Sequence, residues 1–316
     1  MAQSASAPGA TFSPGSGYLL AAFGSVLFST KAIFIKLAYA TGAAPAVDAI
    51  TLLALRMSFS LPVYLLIGTL AWRERGRAGL PLPDARQIMA AVMVGILGYY
   101  IASYLDFEGL IYLTAQLERL ILFTYPFFVM LLGALFFAGR VTGWGVASLL
   151  LAYVGIAVIY MEGATATGDH TAWGALLVLG AAFSFALYQL IARPLIGRMG
   201  SRIFTCIAMA GAGVAVLLHY AAQSNPIALS ELPTRIVMLG LMLSIFATVV
   251  PTFMLNAALD RVGPQAVAVL GTLSPSATIV MAIVFLGESF GWADALGTLL
   301  VMAGVGLFTW RDSRKG

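Results

Sequence analysis

Long apolar segments recur along the whole chain at the length needed to cross a lipid bilayer. A membrane-spanning helix needs roughly 20 mostly apolar residues. Of the 316 residues 61% are hydrophobic and only 9% are charged, whereas about a quarter are charged in a soluble domain. So few charges cannot cover a water-facing surface of this size. The ten predicted spans are 17–40, 49–71, 87–106, 109–137, 142–161, 171–193, 202–222, 234–259, 264–287 and 291–310.

These spans are expected to be α-helices, because the apolar runs are continuous and a membrane barrel needs short alternating segments. The sequence therefore predicts an all-α polytopic membrane protein of the bacterial inner membrane. Residues 1–16 carry no basic residue before the first apolar stretch, unlike a secretory signal. We interpret them as a mobile N-terminal tail and residues 311–316 as a basic cytoplasmic tail.

The basic residues of the loops predict the orientation of the chain. Loops rich in Lys and Arg stay preferentially in the cytoplasm. Twelve basic residues lie in the loops after even-numbered spans and in the C-terminal tail. They all fall on the cytoplasmic side if there are ten spans and both termini are cytoplasmic. An odd number of spans would place the basic tail outside. These residues are Arg73, Arg75, Arg77, Arg86, Arg140, Arg193, Arg198, Arg202, Arg261, Arg311, Arg314 and Lys315.

The two halves of the chain, 17–161 and 171–310, resemble each other. Pro126 in the fourth span matches Pro275 in the ninth at a separation of 149 residues, and Gln116 and Gly155 match Gln265 and Gly304 at the same separation. Five spans are an odd number, so the second half is expected to be inverted. Inverted repeats are typical of transporters with a site near the membrane midplane; the alternative is a gene duplication with a purely structural outcome.

Several stretches are similar to those of a known family: Phe34-Ile-Lys36, Leu273-Ser-Pro275 through Leu286-Gly-Glu288, and Ala303-Gly304-Val305. They resemble the drug/metabolite transporter superfamily, specifically its ten-helix EamA-type exporters. One departure is Gly139, where the second half has Glu288. The resemblance implies export of a small metabolite, and the chain looks most similar to bacterial exporters of aromatic and other neutral amino acids.

Lys31 is the most informative candidate for the substrate site, because it lies near the middle of the first span, where a charge is costly. It is predicted either to meet a substrate carboxylate or to pair with a neighbouring acid. Tyr100, Tyr104 and Tyr188 are further substrate-binding candidates. Tyr100 and Tyr104 share a helix face, and Tyr188 occupies the depth that Lys31 has in its own half. The alternative for these rings is packing.

Pro126 and Pro275 are predicted to kink their spans, since proline removes a backbone hydrogen bond. Such kinks would act as gates or hinges, or would be static packing features. Lys36 is expected to snorkel or to cap a helix end. Arg56 and the pair Glu118–Arg119 are interpreted as structural ion pairs toward the outer boundary. The alternatives are gate residues or, for Glu118, a site that carries a coupling proton.

The expected function is transport of a small-molecule substrate by alternating access at a cavity between the two halves. Amino acids are the favoured cargo, and drugs, nucleosides or sugars are the alternatives. A membrane enzyme or a lipid-handling protein is a weaker hypothesis, because zinc-protease, serine-hydrolase and phosphate-loop motifs are absent from the sequence. No cofactor, metal or nucleic acid is expected, and the oligomeric state stays open.

The inverted arrangement predicts opposite accessibility for two corresponding loops. Cysteines introduced at 72–86 should resist a membrane-impermeant thiol reagent added to intact cells, whereas cysteines at 223–233 should react. Labelling of both loops from the periplasm would exclude the arrangement.

Overall fold

The regular secondary structure of this computed structural model is helical throughout the described residues. Those residues are 14–41, 47–136, 141–167, 170–223, 229, 231–271 and 273–312. The α-helices are α1 (Pro14–Tyr39), α2 (Ala49–Arg77), α3 (Ala85–Gly95), α4 (Ala102–Tyr112), α5 (Ala115–Leu122), α6 (Tyr125–Phe136), α7 (Gly143–Thr167), α8 (Thr171–Met199), α9 (Ser201–Ala221), α10 (Thr234–Ser244), α11 (Val250–Gly271), α12 (Leu273–Met281) and α13 (Trp292–Asp312). Three π-helical stretches are Ile96–Ile101, Ile245–Val249 and Ala282–Leu286.

Eight stretches of the described residues are long and apolar enough to cross a membrane, which confirms the all-α membrane class. They are Gly15–Tyr39, Ala49–Arg77, Ala85–Tyr112, Ala115–Phe136, Gly143–Met161, Thr171–Met199, Ser201–Ala221 and Thr234–Leu259. Two shorter apolar helices follow, Leu273–Leu286 and Trp292–Phe308. Large apolar side chains point outward from the bundle, among them Leu135 and Trp292, as expected where lipid surrounds the protein.

The predicted boundary between the third and fourth spans is wrong. The helix does not end at Asp106 but continues to Tyr112, and the chain turns at Leu113, whose backbone is extended. Thr114 then caps α5 by accepting a hydrogen bond from the Leu117 N–H, as a threonine does at a helix start. Asp106 and Glu108 therefore lie inside a membrane-length helix.

The predicted boundary between the eighth and ninth spans also differs. The helix runs from Thr234 through the second π-helical stretch to Gly271 without the break expected near residues 260–263. Its last part packs closely along α1, because Gly17 faces Arg261 and Val262. This tertiary contact outweighs the local preference of Gly263-Pro264 to end a helix.

The first and last helices extend a few residues into the predicted tails. The first helix begins at Pro14 and the last continues to Asp312. Residues 1–13 and 313–316, as well as the departure at Gly139, lie outside the described residues.

The fourth predicted span is interrupted just before Pro126. The turn Phe123–Thr124 separates α5 from α6, so Pro126 is the second residue of α6. Pro275 is the third residue of α12. At the start of α6 the backbone N–H has no partner within the helix, so Pro126 removes no helical hydrogen bond. The fourth span is therefore interrupted before Pro126 rather than kinked within a continuous helix. Residue 272, just before α12, lies outside the described residues, and the kink at Pro275 stays a prediction.

The helix contacts come in matched pairs. The helix α1 packs against α11 and α12, as α8 packs against α4 and α6; α2 packs against α9, and α7 against α13. The π-helical stretches that begin at Ile96 and Ile245 are 149 residues apart, the separation that relates Pro126 to Pro275. Bulges of this kind change which face of a helix points inward.

Glycines bring α7 and α13 into close contact. A Cβ atom on Gly297 would lie 2.5 Å from the carbonyl oxygen of Gly155, and one on Gly304 would lie 2.6 Å from that of Ser148. Small residues allow membrane helices to approach in this way.

Replacing Gly297 should therefore weaken this helix pair. Gly297→Val should lower the free energy of unfolding by about 1–3 kcal/mol, because the new side chain overpacks the contact. Gly306→Val on the same helix is the matched control, since a Cβ there meets no atom within 4 Å. Thermal melting of both purified variants in detergent measures the difference, and equal melting temperatures would contradict the expected contact.

Candidate functional site

A cluster of charged side chains lies where α1, α4 and α5 meet. The ammonium of Lys31 lies 2.5 Å from Asp106 Oδ2 and 3.6 Å from Glu118 Oε1. The exposed fractions of the three side chains are 12%, 3% and 0%. We call Lys31, Asp106 and Glu118 the charge cluster. It contains one ammonium and two carboxylates.

Of the two interpretations that the sequence left open for Lys31, the structure shows the pairing with a neighbouring acid. Sequence reasoning missed Asp106 as the partner because it placed this residue at a loop. The sequence did hold a signal that Asp106 lies inside a helix. Asp106 is an acid within an apolar stretch, and the next residue that can cap the start of a new helix is Thr114. The partners are 75 positions apart in the chain, so only the fold reveals the pair.

The carboxylate of Glu118 has unused hydrogen-bonding capacity. No N–H or hydroxyl group donates to either of its oxygens or to Asp106 Oδ1, and the two carboxyl groups lie within hydrogen-bonding reach of each other. A buried carboxylate without donors is costly, so these oxygens mark a place where a donor can bind. Among the described residues no group of three or more His, Cys, Asp or Glu side chains is placed to hold a metal ion.

Arg119 follows Glu118 in the chain but turns away from it. Its Nε donates to Thr278 Oγ1 at 3.1 Å, and its Nη2 donates to the carbonyl of Phe28 at 3.4 Å. Beside these bonds, the Ser29 and Ser274 hydroxyls lie 2.8 Å apart. The predicted structural pair of Glu118 and Arg119 is thus not formed, and both side chains are buried in the interior.

Arg56 on α2 is a second buried cation with a free N–H. Its Nη2 donates to Ser103 Oγ at 3.3 Å and its guanidinium lies 5.4 Å from the ring centre of Phe107, but its Nε has no partner. Tyr64 lies two turns further along α2. The Tyr64 ring lies 5.7 Å from that of Phe253. Arg56 therefore combines a cation with an aromatic environment.

The structure brings Tyr100 and Tyr104 together, as their spacing predicts, and adds His219. The Tyr100 hydroxyl lies 2.8 Å from His219 Nδ1, and the rings of Tyr104 and His219 are 5.3 Å apart. His219 was not among the candidates that the sequence suggested. Its position near the end of α9 carries no local signal for this contact.

Tyr188 contacts a different set of residues. Its hydroxyl lies 2.7 Å from that of Tyr99, and its ring packs on Phe185 and Phe204. Gly98 lies directly against the ring. Tyr188 is 8% exposed. It projects from α8 and packs against the first π-helical stretch and α9.

Glu288 binds the start of α5. It accepts hydrogen bonds from the N–H groups of Ala115 at 2.7 Å and Gln116 at 3.3 Å. Gly287 has a φ of 66°, a left-handed conformation that glycine adopts readily. The N-terminus of a helix attracts a carboxylate, so the second half of the chain caps a helix of the first.

Lys36 caps the neighbouring helix end. Its ammonium donates to the carbonyls of Leu110 at 3.2 Å and Leu113 at 2.9 Å. This confirms helix-end capping as the role of Lys36, although the helix it caps is α4 rather than its own.

A surface depression lies elsewhere. It has a volume of about 500 Å³ and lies between the first part of α1 and the first half of α11, lined mainly by apolar side chains such as Phe23 and Phe253. No member of the charge cluster lines it. Because the charged and unpartnered groups are buried away from it, we take them rather than this depression as the candidate site.

Two parts of the chain, residues 15–161 and 172–310, match the EamA-like transporter family. A solved crystal structure has a TM-score of 0.64 at 18% sequence identity and covers 95% of this chain and 98% of its own. That likeness shows the fold.

Several relatives are described as transporters. The uncharacterized transporter YcbK of Bacillus subtilis is 26% identical, covering 89% of this chain and 88% of its own. A probable terminal-alkyne amino-acid exporter of Streptantibioticus cattleyicolor is 28% identical over 75% of this chain and 78% of its own. A probable amino-acid metabolite efflux pump of Salmonella typhimurium is 28% identical over 60% of this chain and 66% of its own.

The helices, the double family match and these relatives agree. The protein is a multi-pass transporter of the bacterial inner membrane, not an enzyme, and its substrate is a small molecule. The chain belongs to the EamA-like transporter family, within the drug/metabolite transporter superfamily.

Proposed function

We propose that the protein exports neutral amino acids, aromatic ones included, by alternating access between two inverted five-helix halves. The observation that carries this proposal is the presence of buried groups of both charges with unpartnered atoms: Arg56 Nε on one side, Glu118 and Asp106 Oδ1 on the other. An amino acid presents a carboxylate and an ammonium, which suit these two kinds of group.

The proposed assignment follows from which atoms are already engaged. Lys31 is held by Asp106, so Arg56 is the better partner for the substrate carboxylate, and Lys31 positions the two acids. The ammonium would lie at Glu118 and Asp106. Tyr100, Tyr104 and Tyr188 remain proposed contacts for an apolar or aromatic side chain.

Paired features support the inverted repeat. The family match falls once on each half. Contacts exchange between the halves, since α1 with α11 corresponds to α8 with α4. The π-helical stretches that begin at Ile96 and Ile245 and the prolines Pro126 and Pro275 have the same separation in the chain. The short helices Leu273–Leu286 and Trp292–Phe308 would complete ten spans with both termini in the cytoplasm.

The helix break at Phe123–Thr124 is the proposed hinge of the first half, and Pro275 marks the corresponding proposed hinge of the second. A break leaves backbone groups outside the regular helical bonding pattern, which makes it a place where φ and ψ can change. Pro126 would set the direction in which α6 leaves this break.

Amino-acid transport is tested with the purified protein in liposomes. Vesicles loaded with unlabelled L-phenylalanine, L-methionine or L-threonine should take up the same labelled amino acid in exchange, whereas protein-free vesicles should not. Competition by nucleosides, sugars and cationic drugs tests the alternative cargoes. Exchange with one of these and with no amino acid would reject the proposal.

Arg56 is expected to recognise the substrate carboxylate. In wild-type protein L-phenylalanine should compete better than its amide, which lacks that carboxylate, by about tenfold, equivalent to about 1.4 kcal/mol. Arg56→Gln should remove this preference, because the guanidinium is lost. Arg202→Gln is the control, since Arg202 forms an exposed ion pair with Glu74. A preference that survives Arg56→Gln would place the carboxylate elsewhere.

A further inference from the structure

We propose that Glu118 is a proton-binding site through which proton entry drives amino-acid export. The proposal rests on the proposed function and adds its energy source. Glu118 is 0% exposed, and no N–H or hydroxyl group donates to its carboxylate oxygens. Its side chain lies within hydrogen-bonding reach of the Asp106 side chain. A proton on one oxygen removes a charge and lets the two carboxyl groups bond to each other, because one O–H can bridge two carboxyl groups.

Other acids of the described helices and loops have donors where Glu118 has none. Asp106 binds the Lys31 ammonium, and Glu288 accepts from two backbone N–H groups. Asp48 accepts from the Thr51 N–H and from the Gln223 amide. Their charges are thereby stabilised in place. Glu118 is the buried acid whose oxygens are both available.

The charged groups that act on Glu118 come from three helices: Lys31 from α1, Asp106 from α4 and Arg119 from α5 itself. Lys31 lies 3.6 Å away but is bound more closely by Asp106. Arg119 directs its N–H groups to Thr278 and to the Phe28 carbonyl. From α7, α8 and α12, which also pack near α5, the described residues add no charged group to this set. Two carboxylates thus share one ammonium, an arrangement in which both cannot easily ionise.

Coupling follows from competition for one carboxylate. When the site opens to the periplasm, a proton binds to a Glu118 oxygen. When it opens to the cytoplasm, the substrate ammonium displaces that proton, which leaves to the cytoplasm, and pairs with the carboxylate. A carboxyl group that keeps its proton cannot form this ion pair. One proton therefore enters for each amino acid that leaves.

An imposed pH gradient tests this coupling in liposomes, with labelled L-phenylalanine as the first probe and the remaining amino acids of the exchange panel after it. With the membrane potential held at zero and the interior more acidic by one unit, wild-type protein should accumulate the probe inside by up to about tenfold. Glu118→Gln should lower apparent affinity yet still exchange labelled for unlabelled amino acid at saturating concentration. It should show no accumulation driven by the gradient.

Two further variants complete the design. Glu118→Asp keeps a carboxyl group and should keep part of the accumulation. Glu74→Gln removes an exposed acid with a side-chain exposure of 63% and should behave like wild type. Wild-type protein in weakly buffered detergent should also release one proton for each amino acid bound, a measurement that needs no variant to fold.

The outcomes separate the two proposals. Exchange without accumulation in wild-type protein, or accumulation by Glu118→Gln equal to wild type, would overturn the proton site and leave amino-acid transport intact. Absence of exchange with every amino acid in wild-type protein would reject the proposed function itself.

Discussion

The ion pair between Lys31 and Asp106 determines how the centre of this protein is built. An isolated charge in a membrane interior is expensive, so each of the two residues requires the other, and together they join α1 to α4. Glu118 lies beside this pair with no donor of its own. The Lys31 ammonium of this pair lies 3.6 Å from Glu118 Oε1, so the pair also sets the electrostatic surroundings of a third buried group.

Local sequence properties predicted the membrane class and the order of the first eight helical stretches well, because apolar length is a property of neighbouring residues. They failed where a distant partner changes the meaning of a residue. The sequence placed Asp106 at the end of a span, whereas in the structure it pairs with the distant Lys31 inside a helix. The sequence also placed a helix end near Gly263-Pro264, whereas in the structure this helix continues and packs along α1. The cap that Glu288 forms on α5 and the contact between Tyr100 and His219 likewise depend on the fold.

The candidate site was predicted in part for the same reason. Lys31 stood out because a charge in the middle of an apolar span is rare, and its position alone was sufficient to select it. The choice between a substrate carboxylate and a neighbouring acid as its partner needed the structure. Arg56 and Glu118 were assigned to the periphery because position along a span was the available guide. A break inside the fourth span instead places Glu118 next to α1.

The helix α5 has eight residues and is only about 12 Å long. Its first turn is held by Glu288 from the other half, and Glu118 is its fourth residue. A rod this short cannot bend appreciably between the two points. Any displacement that follows occupancy of the carboxyl group thus reaches the contact between the halves directly, and communication between site and closure requires no chain of intermediate residues.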